Sequence, residues 1–273
     1  MTAVLDGAVP VVPPGSERGL RALAAQTRVE TWRLLVRLCR NPVALLFLVL
    51  MPIGFMIALD IVLGDRISAV TGHSALYGTV PMNAVATAVN GSMVVAVGLA
   101  SEQTSGLLSR LWVLPVHRAS GLLARMVAEA VRIPVTTAVL LGVGAAMGFR
   151  FHQGWLGVVG WFLVPVIFGL PIAMLITTVA LYWAKTPLVE AVVLVLVLAI
   201  LFSTGFIPLS GYPRWVQPVV EHQPLTYTIE AMRGMSVGGP VLSPMIGVLL
   251  WSGGIAAAFL YPMVRGYRRA STR

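Results

Sequence analysis

Apolar residues along the chain gather into six runs, at about 42–63, 80–100, 122–147, 155–183, 188–209 and 241–264. A bilayer crossing needs about 20 mostly apolar residues, so each run is predicted to be a transmembrane helix. Only Ala184-Lys185-Thr186-Pro187 separates the fourth run from the fifth, which makes that connection tight. The first 40 residues hold no continuous apolar stretch, and no cleavable signal peptide is expected. The fold class expected is an all-α membrane protein, with a six-helix transmembrane domain over 42–265 and a short tail over 266–273.

The segments between the runs are more individual. Residues 1–17 are rich in Pro and Gly without periodicity, and a disordered start is expected. Over 18–41 the pattern turns helical. At 100° per residue Leu20, Leu23, Ala24, Thr27, Thr31, Leu34, Leu35 and Leu38 share one face, while arginines including Arg28, Arg33 and Arg37 hold the other. This predicts a basic amphipathic helix on the membrane interface, ended by Asn41-Pro42 because proline disfavours helix at the residue before it. Two functions fit it equally: a simple anchor, or a lever touching a cytoplasmic partner. Residues 101–121, SEQTSGLLSRLWVLPVHRASG, are too polar to span and suit a short helix that Pro115 ends or bends. Apolar Leu and Trp on such a helix suggest a docking surface for another protein, with packing on its own spans as the plainer account. Residues 210–240 combine Pro213, Pro218, Pro224 and Pro240 with Tyr212, Trp215, Val219, Val220 and Tyr227. Two short helices bent at His222-Gln223-Pro224 and dipping into the outer leaflet would use those residues. Irregular backbone at that depth needs cover from protein or a wet cavity.

Composition agrees with lipid as the solvent. The chain is 58% hydrophobic and 11% charged, where soluble domains carry about 25% charged residues. Its formal charge of +9 rests on 18 arginines and one lysine, scattered along the chain. With the N-terminus inside, fifteen of these cations face the cytoplasm, leaving Arg66, Arg150, Arg214 and Arg233 outside. That bias points to membrane topology rather than nucleic acid, with both termini cytoplasmic in a bacterial inner membrane.

Candidate chemistry is sparse. The lone cysteine, Cys39, allows no intrachain disulfide, and His73, His117, His152 and His222 fall in four separate loops without metal-ligand spacing. A phosphate-binding loop needs Gly-Lys before Ser or Thr, and the single lysine, Lys185, follows Ala184. Any ATP is therefore expected on another chain. Charges at membrane depth are costly and usually paired or functional; here they are Asp60, Glu129, Arg132 and Glu190. Glu129 and Arg132 are spaced for a local ion pair, and Asp60 can reach Arg66 or the interface. Pro52, Gly54, Pro134, Pro165, Gly169, Pro171, Gly205 and Pro208 punctuate the spans as kinks or as hinges.

The order of these segments resembles the membrane subunits of ABC-2-type exporters. The resemblance is carried by Glu102, Gly106, Leu107, Leu108, Arg110, Leu111, Leu114, Pro115, Val116 and Arg118, by the stretch from Phe206 to Pro218, and by Gln223 to Gly234. RLWVLPVHRASGLL, GGPVLSPMIG and GYRRAST are most similar to daunorubicin-resistance-type permeases of mycobacteria. The resemblance implies an ATPase-coupling region formed by Glu102, Gly106, Leu107, Leu108, Arg110, Leu111, Trp112, Pro115 and Arg118. It also implies an outer gate at Pro208, Tyr212, Pro213, Trp215, Pro224, Tyr227 and Arg233. The implied assembly pairs this chain with an identical or homologous permease and two ATPase subunits. ATP and Mg would sit on those partners, with no cofactor on this chain. The implied cargo is a hydrophobic molecule, a polyketide-derived lipid such as phthiocerol dimycocerosate or, alternatively, an anthracycline-type drug. A glycan is disfavoured because only 8% of residues are aromatic. A secondary transporter would call for an inverted repeat, and a membrane transferase would have to use His117 or Glu221-His222. Labels placed at His73 and His222 are expected to react from outside the cell and one at His117 not to; the reverse pattern overturns the topology.

Overall fold

The computed structural model describes residues 19–104, 119–182 and 186–271, and within them the chain is helical with no strand. Helix α1 (Leu20–Cys39) gives way at Arg40 to α2 (Pro42–Leu45). The break follows from Asn41-Pro42. Asn41 is extended, its side-chain oxygen accepts from the Ala44 N–H at 3.1 Å, and Pro42 takes the first helical position, where no N–H is needed. A π-helical stretch, Leu46–Leu50, leads into α3 (Met51–Thr71), and the Met51 N–H reaches back to the Leu46 carbonyl. This wider turn lies directly ahead of Pro52, which has no N–H to offer. Gly72, at φ 74°, closes α3 in a conformation that only glycine adopts freely.

The rest of the bundle is α4 (Leu76–Thr104), α5 (Ser120–Met147), α6 (Gly154–Tyr182), α7 (Thr186–Leu201), the short α8 (Gln217–His222), α9 (Pro224–Val237) and α10 (Leu242–Ser271). Helix α6 is the hub and packs on α4, α5, α7, α9 and α10. It is apolar on all sides, as a central helix must be, and buries Trp161, Phe168, Ile172 and Ile176 completely. Gly169 is where three helices meet: a Cβ there would lie 2.7 Å from Ile133 and 3.2 Å from Ala88. By contrast α3, α7 and α10 leave apolar side chains such as Ile61, Val195 and Leu250 exposed, as lipid-facing helices do.

Among the described residues five helices are long and apolar enough to cross a membrane: Pro42–Ala69, Leu76–Gln103, Ser120–Met147, Gly154–Tyr182 and Leu242–Ala270. The predicted fifth run at 188–209 is shorter as a helix. Helix α7 has 16 residues, about 24 Å at 1.5 Å per residue, and the chain then unwinds through Ser203, Thr204 and Gly205. The Ser203 hydroxyl donates to Ile200 O at 2.6 Å, and all three residues are buried, so protein covers the irregular backbone. The bend at His222-Gln223-Pro224 lies where the sequence places it: α8 ends at His222, Gln223 is extended and α9 begins at Pro224. Helix α9 packs against α4, α6 and α10.

Two expectations change. Residues 101–104 are the last turn of α4 rather than part of a separate connection, so Glu102 sits on a transmembrane helix. The apolar stripe of α1 rests largely on α5: Thr31 is buried and its hydroxyl donates to Ala124 O at 3.3 Å, whereas Leu20 and Trp32 stay exposed. The α4 start and the 203–205 turn are held together by paired glycines, since a Cβ at Gly78 would lie 2.5 Å from Gly205 O. Gly78→Ala is therefore expected to destabilise the protein by about 1–3 kcal/mol, while Gly54→Ala, with nothing within 4 Å, leaves thermal unfolding in detergent nearly unchanged.

Candidate functional site

A groove of about 810 Å³ runs along α4, bounded by α1, the α2–α3 helix, α5 and α7. Its walls are apolar, with Phe47, Phe55, Met82, Met93, Val94 and Ile200 among them. Against these walls stand two sets of buried charges. At the end where α4 stops and α5 starts, the Glu102 carboxylate accepts from Arg37 Nη1 of α1 at 2.9 Å and from Arg125 Nη2 of α5. Glu102 and Arg125 are almost fully buried, while Arg37 is 60% exposed. One carboxylate thus joins three helices. Tyr267 of α10 is buried against the same corner, its hydroxyl filling the space a Cβ at Gly121 would need.

The second set lies farther along. Arg132 donates to Glu129 through Nη2 at 2.6 Å and Nε at 3.1 Å. The same guanidinium donates to Thr87 O at 3.2 Å and Ala88 O at 3.0 Å on α4, and Ser92 Oγ lies 3.1 Å from Glu129 Oε2. Gly91 makes this possible, because a Cβ there would occupy the position of the guanidinium. Burying a charge is tolerable only when its hydrogen bonds are met, and here α4 supplies carbonyls and a hydroxyl for that purpose. Asn83 and Asn90 also border the groove, seven residues apart on one face of α4. Asn83 donates to Thr79 O at 2.8 Å, whereas Asn90 makes no hydrogen bond among the described residues.

A smaller cavity of about 460 Å³ opens at the other end of the bundle, beside His73, Tyr77, Thr204, Pro208, Glu230 and Arg233. Arg233 is paired with Glu230 at 2.6 Å. Phe206 borders both cavities and meets Phe55 edge-on, with ring centres 5.8 Å apart.

The predicted residues distribute unevenly over this framework. Glu102, Glu129, Arg132 and Arg37 border the groove. Arg33 pairs with Glu30 on its own helix at 2.9 Å, and Arg28 is exposed. Asp60 is half-buried and makes no ion pair with Arg66. Glu190 falls on α7. Gly106, Leu107, Leu108, Arg110, Leu111, Trp112, Pro115 and Arg118 lie outside the described residues. Of the residues expected at an outer gate, Pro208 and Arg233 border the smaller cavity together, and the others lie apart from it. Trp215 is 81% exposed, Tyr227 is wedged against Gly247 of α10, and Pro224 starts α9. Pro213 lies exposed in the turn ahead of α8. Tyr212 turns its hydroxyl back onto Leu201 O and Ser203 O, at 3.3 and 3.0 Å, and burial pushes its phenol up.

Arg125, Ser92, Gly91 and Asn90 were not among the predicted site residues. The sequence did carry a signal for the first, since Arg125, Glu129 and Arg132 fall at i, i+4 and i+7 on one face of α5.

Compared with known proteins, residues 25–236 match the family model for the ABC-2 type transporter. The chain belongs to the ABC-2 type transporter family. It is 52% identical over 259 residues to the probable doxorubicin resistance ABC transporter permease protein DrrC of Mycobacterium tuberculosis, in two strains, covering 95% of this chain and 94% of that one. It is 26% identical over 269 residues to the daunorubicin resistance ABC transporter permease protein DrrB1 of Streptomyces coeruleorubidus, covering 98% of this chain and 95% of that one. These ABC-2 relatives are permeases, membrane components of transporters rather than enzymes. Their names concern drug resistance, and the polyketide-lipid cargo expected from the resemblance finds no support in them.

Truncating Glu102 to Ala leaves the buried Arg125 without its carboxylate and is expected to cost about 3–5 kcal/mol. Arg37→Ala removes a largely exposed partner and is expected to cost about 0–1 kcal/mol. Gly91→Ala, which displaces the Arg132 guanidinium, should resemble Glu102→Ala. Thermal unfolding of the purified variants in lipid nanodiscs checks the order.

Proposed function

We propose that this chain is the membrane half of an ATP-driven exporter that moves an amphiphilic, drug-type molecule outward along the groove beside α4. The observation that supports this most is the joining of Arg37, Glu102 and Arg125 at one end of that groove. These residues lie on α1, α4 and α5, at the points where the 105–118 segment leaves α4 and returns before α5. A push on that segment reaches three helices through one carboxylate.

In this reading both termini face the cytoplasm of a bacterial inner membrane. Helix α7 with residues 202–208 forms a sixth crossing, and 210–240 is the re-entrant outer segment. Two ATPase subunits carry ATP and Mg, and a second permease, identical or homologous, completes the pathway. Closure of the ATPase pair presses on Gly106, Leu107, Leu108, Arg110, Leu111, Trp112, Pro115 and Arg118. The load passes to Glu102, and the walls of the groove separate toward the outer cavity. Phe206 and Phe55, between the two spaces, form the apolar partition the cargo must pass. A drug-type cargo fits the names of the relatives, and a polyketide-derived lipid is the comparison substrate.

The test is ATP-dependent movement of a fluorescent amphiphile, against a long-chain polyketide-type lipid, in vesicles holding this chain and its ATPase. Leu111→Asp or Trp112→Asp is expected to abolish co-purification of the ATPase and to reduce transport to background. Unchanged co-purification with stimulated ATP hydrolysis sinks the coupling assignment.

A further inference from the structure

The carboxylates beside the two cavities differ in how firmly they are held. Glu102 and Glu129, along the groove, are buried and bonded to the buried arginines Arg125 and Arg132. Glu230 borders the smaller cavity, and its partner is looser. Arg233, three residues on along α9, spans both Glu230 oxygens with the single nitrogen Nη2, at 2.6 and 2.5 Å. The stronger arrangement, two guanidinium nitrogens on two oxygens, is not the one formed. The Arg233 and Glu230 side chains are 35% and 27% exposed, and a partly exposed pair at this spacing contributes little. Another cation can therefore take the place of Arg233 while the guanidinium turns into water.

The rest of that cavity suits an ammonium group on an apolar body. Thr204 borders it and is buried, and its hydroxyl has no hydrogen-bond partner among the described residues. A primary ammonium brings three donors, so the carboxylate and this hydroxyl can each accept one. Tyr77 adds an aromatic ring to the wall, and such rings attract cations. Among the described residues that line the cavity, Glu230 is the one carboxylate. Phe206 borders this cavity and the groove alike, so an amphiphile passing that ring enters the space that Glu230 lines. The volume of about 460 Å³ lies in the range of pockets that hold small organic ligands.

We propose that the smaller cavity is an exit site for cationic amphiphiles, where Glu230 takes the ammonium group and Arg233 competes to displace it. The proposal rests on the reading that a drug-type cargo leaves the groove at this end, and it adds the charged group the exit recognises. Arg233 is tied to the same helix as the carboxylate, so it is always within reach of it. Its return lowers the affinity for the bound amine and hastens release, which is what an exit requires. Glu230 thereby determines specificity, and Arg233 sets how long the cargo stays.

The test uses a matched pair of fluorescent probes, dansylcadaverine and the dansylamide of 5-aminopentanol. They share an apolar body and differ at the chain end, an ammonium in one and a hydroxyl in the other at neutral pH. Saturable binding is measured by fluorescence to the full chain in nanodiscs of zwitterionic lipid, with empty nanodiscs subtracted. The amine is expected to bind at least about tenfold more tightly than the alcohol. Glu230→Gln is expected to remove that difference by weakening the amine alone. Arg233→Gln is expected to tighten the amine by about two- to fivefold, a gain that a merely structural ion pair would not give. Equal binding of the two probes to the wild-type chain, tighter binding of the alcohol, or no saturable binding of the amine overturns the proposal. So does a folded Glu230→Gln protein that keeps the preference, or a folded Arg233→Gln protein that binds the amine no more tightly. The comparison on the wild-type chain needs no substitution to fold. Binding is read without the ATPase, so absent ATP-driven transport counts against the export reading and leaves the binding order standing.

Discussion

Helices α4 and α5 lie side by side with buried carboxylates and guanidiniums between them, in a protein whose surroundings are hydrocarbon. Nothing outside can solvate those groups, so each requires a partner from within the chain. The antiparallel register meets that need twice, with Glu102 opposite Arg125 and Ser92 opposite Glu129. Glycine at 91 removes the one Cβ that would keep the Arg132 guanidinium off the α4 backbone. Much else follows from this pairing. Helix α1 is drawn in by Arg37, α6 closes over the other side of α4 and α5, and the face of α4 turned away from α6 remains free to border the groove.

Small residues set how closely the other helices approach. In lipid, helix association relies on close contact rather than on a hydrophobic drive, and Gly169, Gly144 and Gly205 each sit where a Cβ would strike a neighbouring side chain. Helix α7 is shorter than the five long apolar helices, and it ends where Ser203, Thr204 and Gly205 are covered by protein. The unwound stretch brings Phe206 to the boundary between the two cavities. A straight continuation of α7 would have carried that ring elsewhere.

Much of this was legible from residue types. The apolar runs located the long helices, Asn41-Pro42 located the end of α1, and His222-Gln223-Pro224 located the bend before α9. The Glu129–Arg132 pair followed from its spacing of three. Contacts between distant residues were not legible. Arg37 and Glu102 are 65 positions apart, and no local pattern brings them together. The need for glycine at 91 shows only once a guanidinium is seen against it. The outer aromatic residues show the same limit: Tyr212, Trp215 and Tyr227 are neighbours in sequence, yet a hydrogen bond, an exposed tip and a helix contact send them in three directions.

The two charge sets differ in a way that bears on movement. At Glu129 all the partners lie on α4 and α5, every one of them buried, and separating them would leave charge in a dry interior. That set is a fixed point. At Glu102 one of the two arginines bonded to it among the described residues, Arg37, is mostly exposed, so it can leave the carboxylate and regain water at little cost. Arg125 would remain to match the charge. Releasing Arg37 therefore strands no buried ion, although α1 still rests on α5 through Thr31, whereas parting α4 and α5 at Glu129 would strand one. In the exporter proposed above, a load arriving at the last turn of α4 meets first the Glu102 set, whose outer arginine is exposed, and only then the fully buried Glu129 set that holds the middle of the α4–α5 pair.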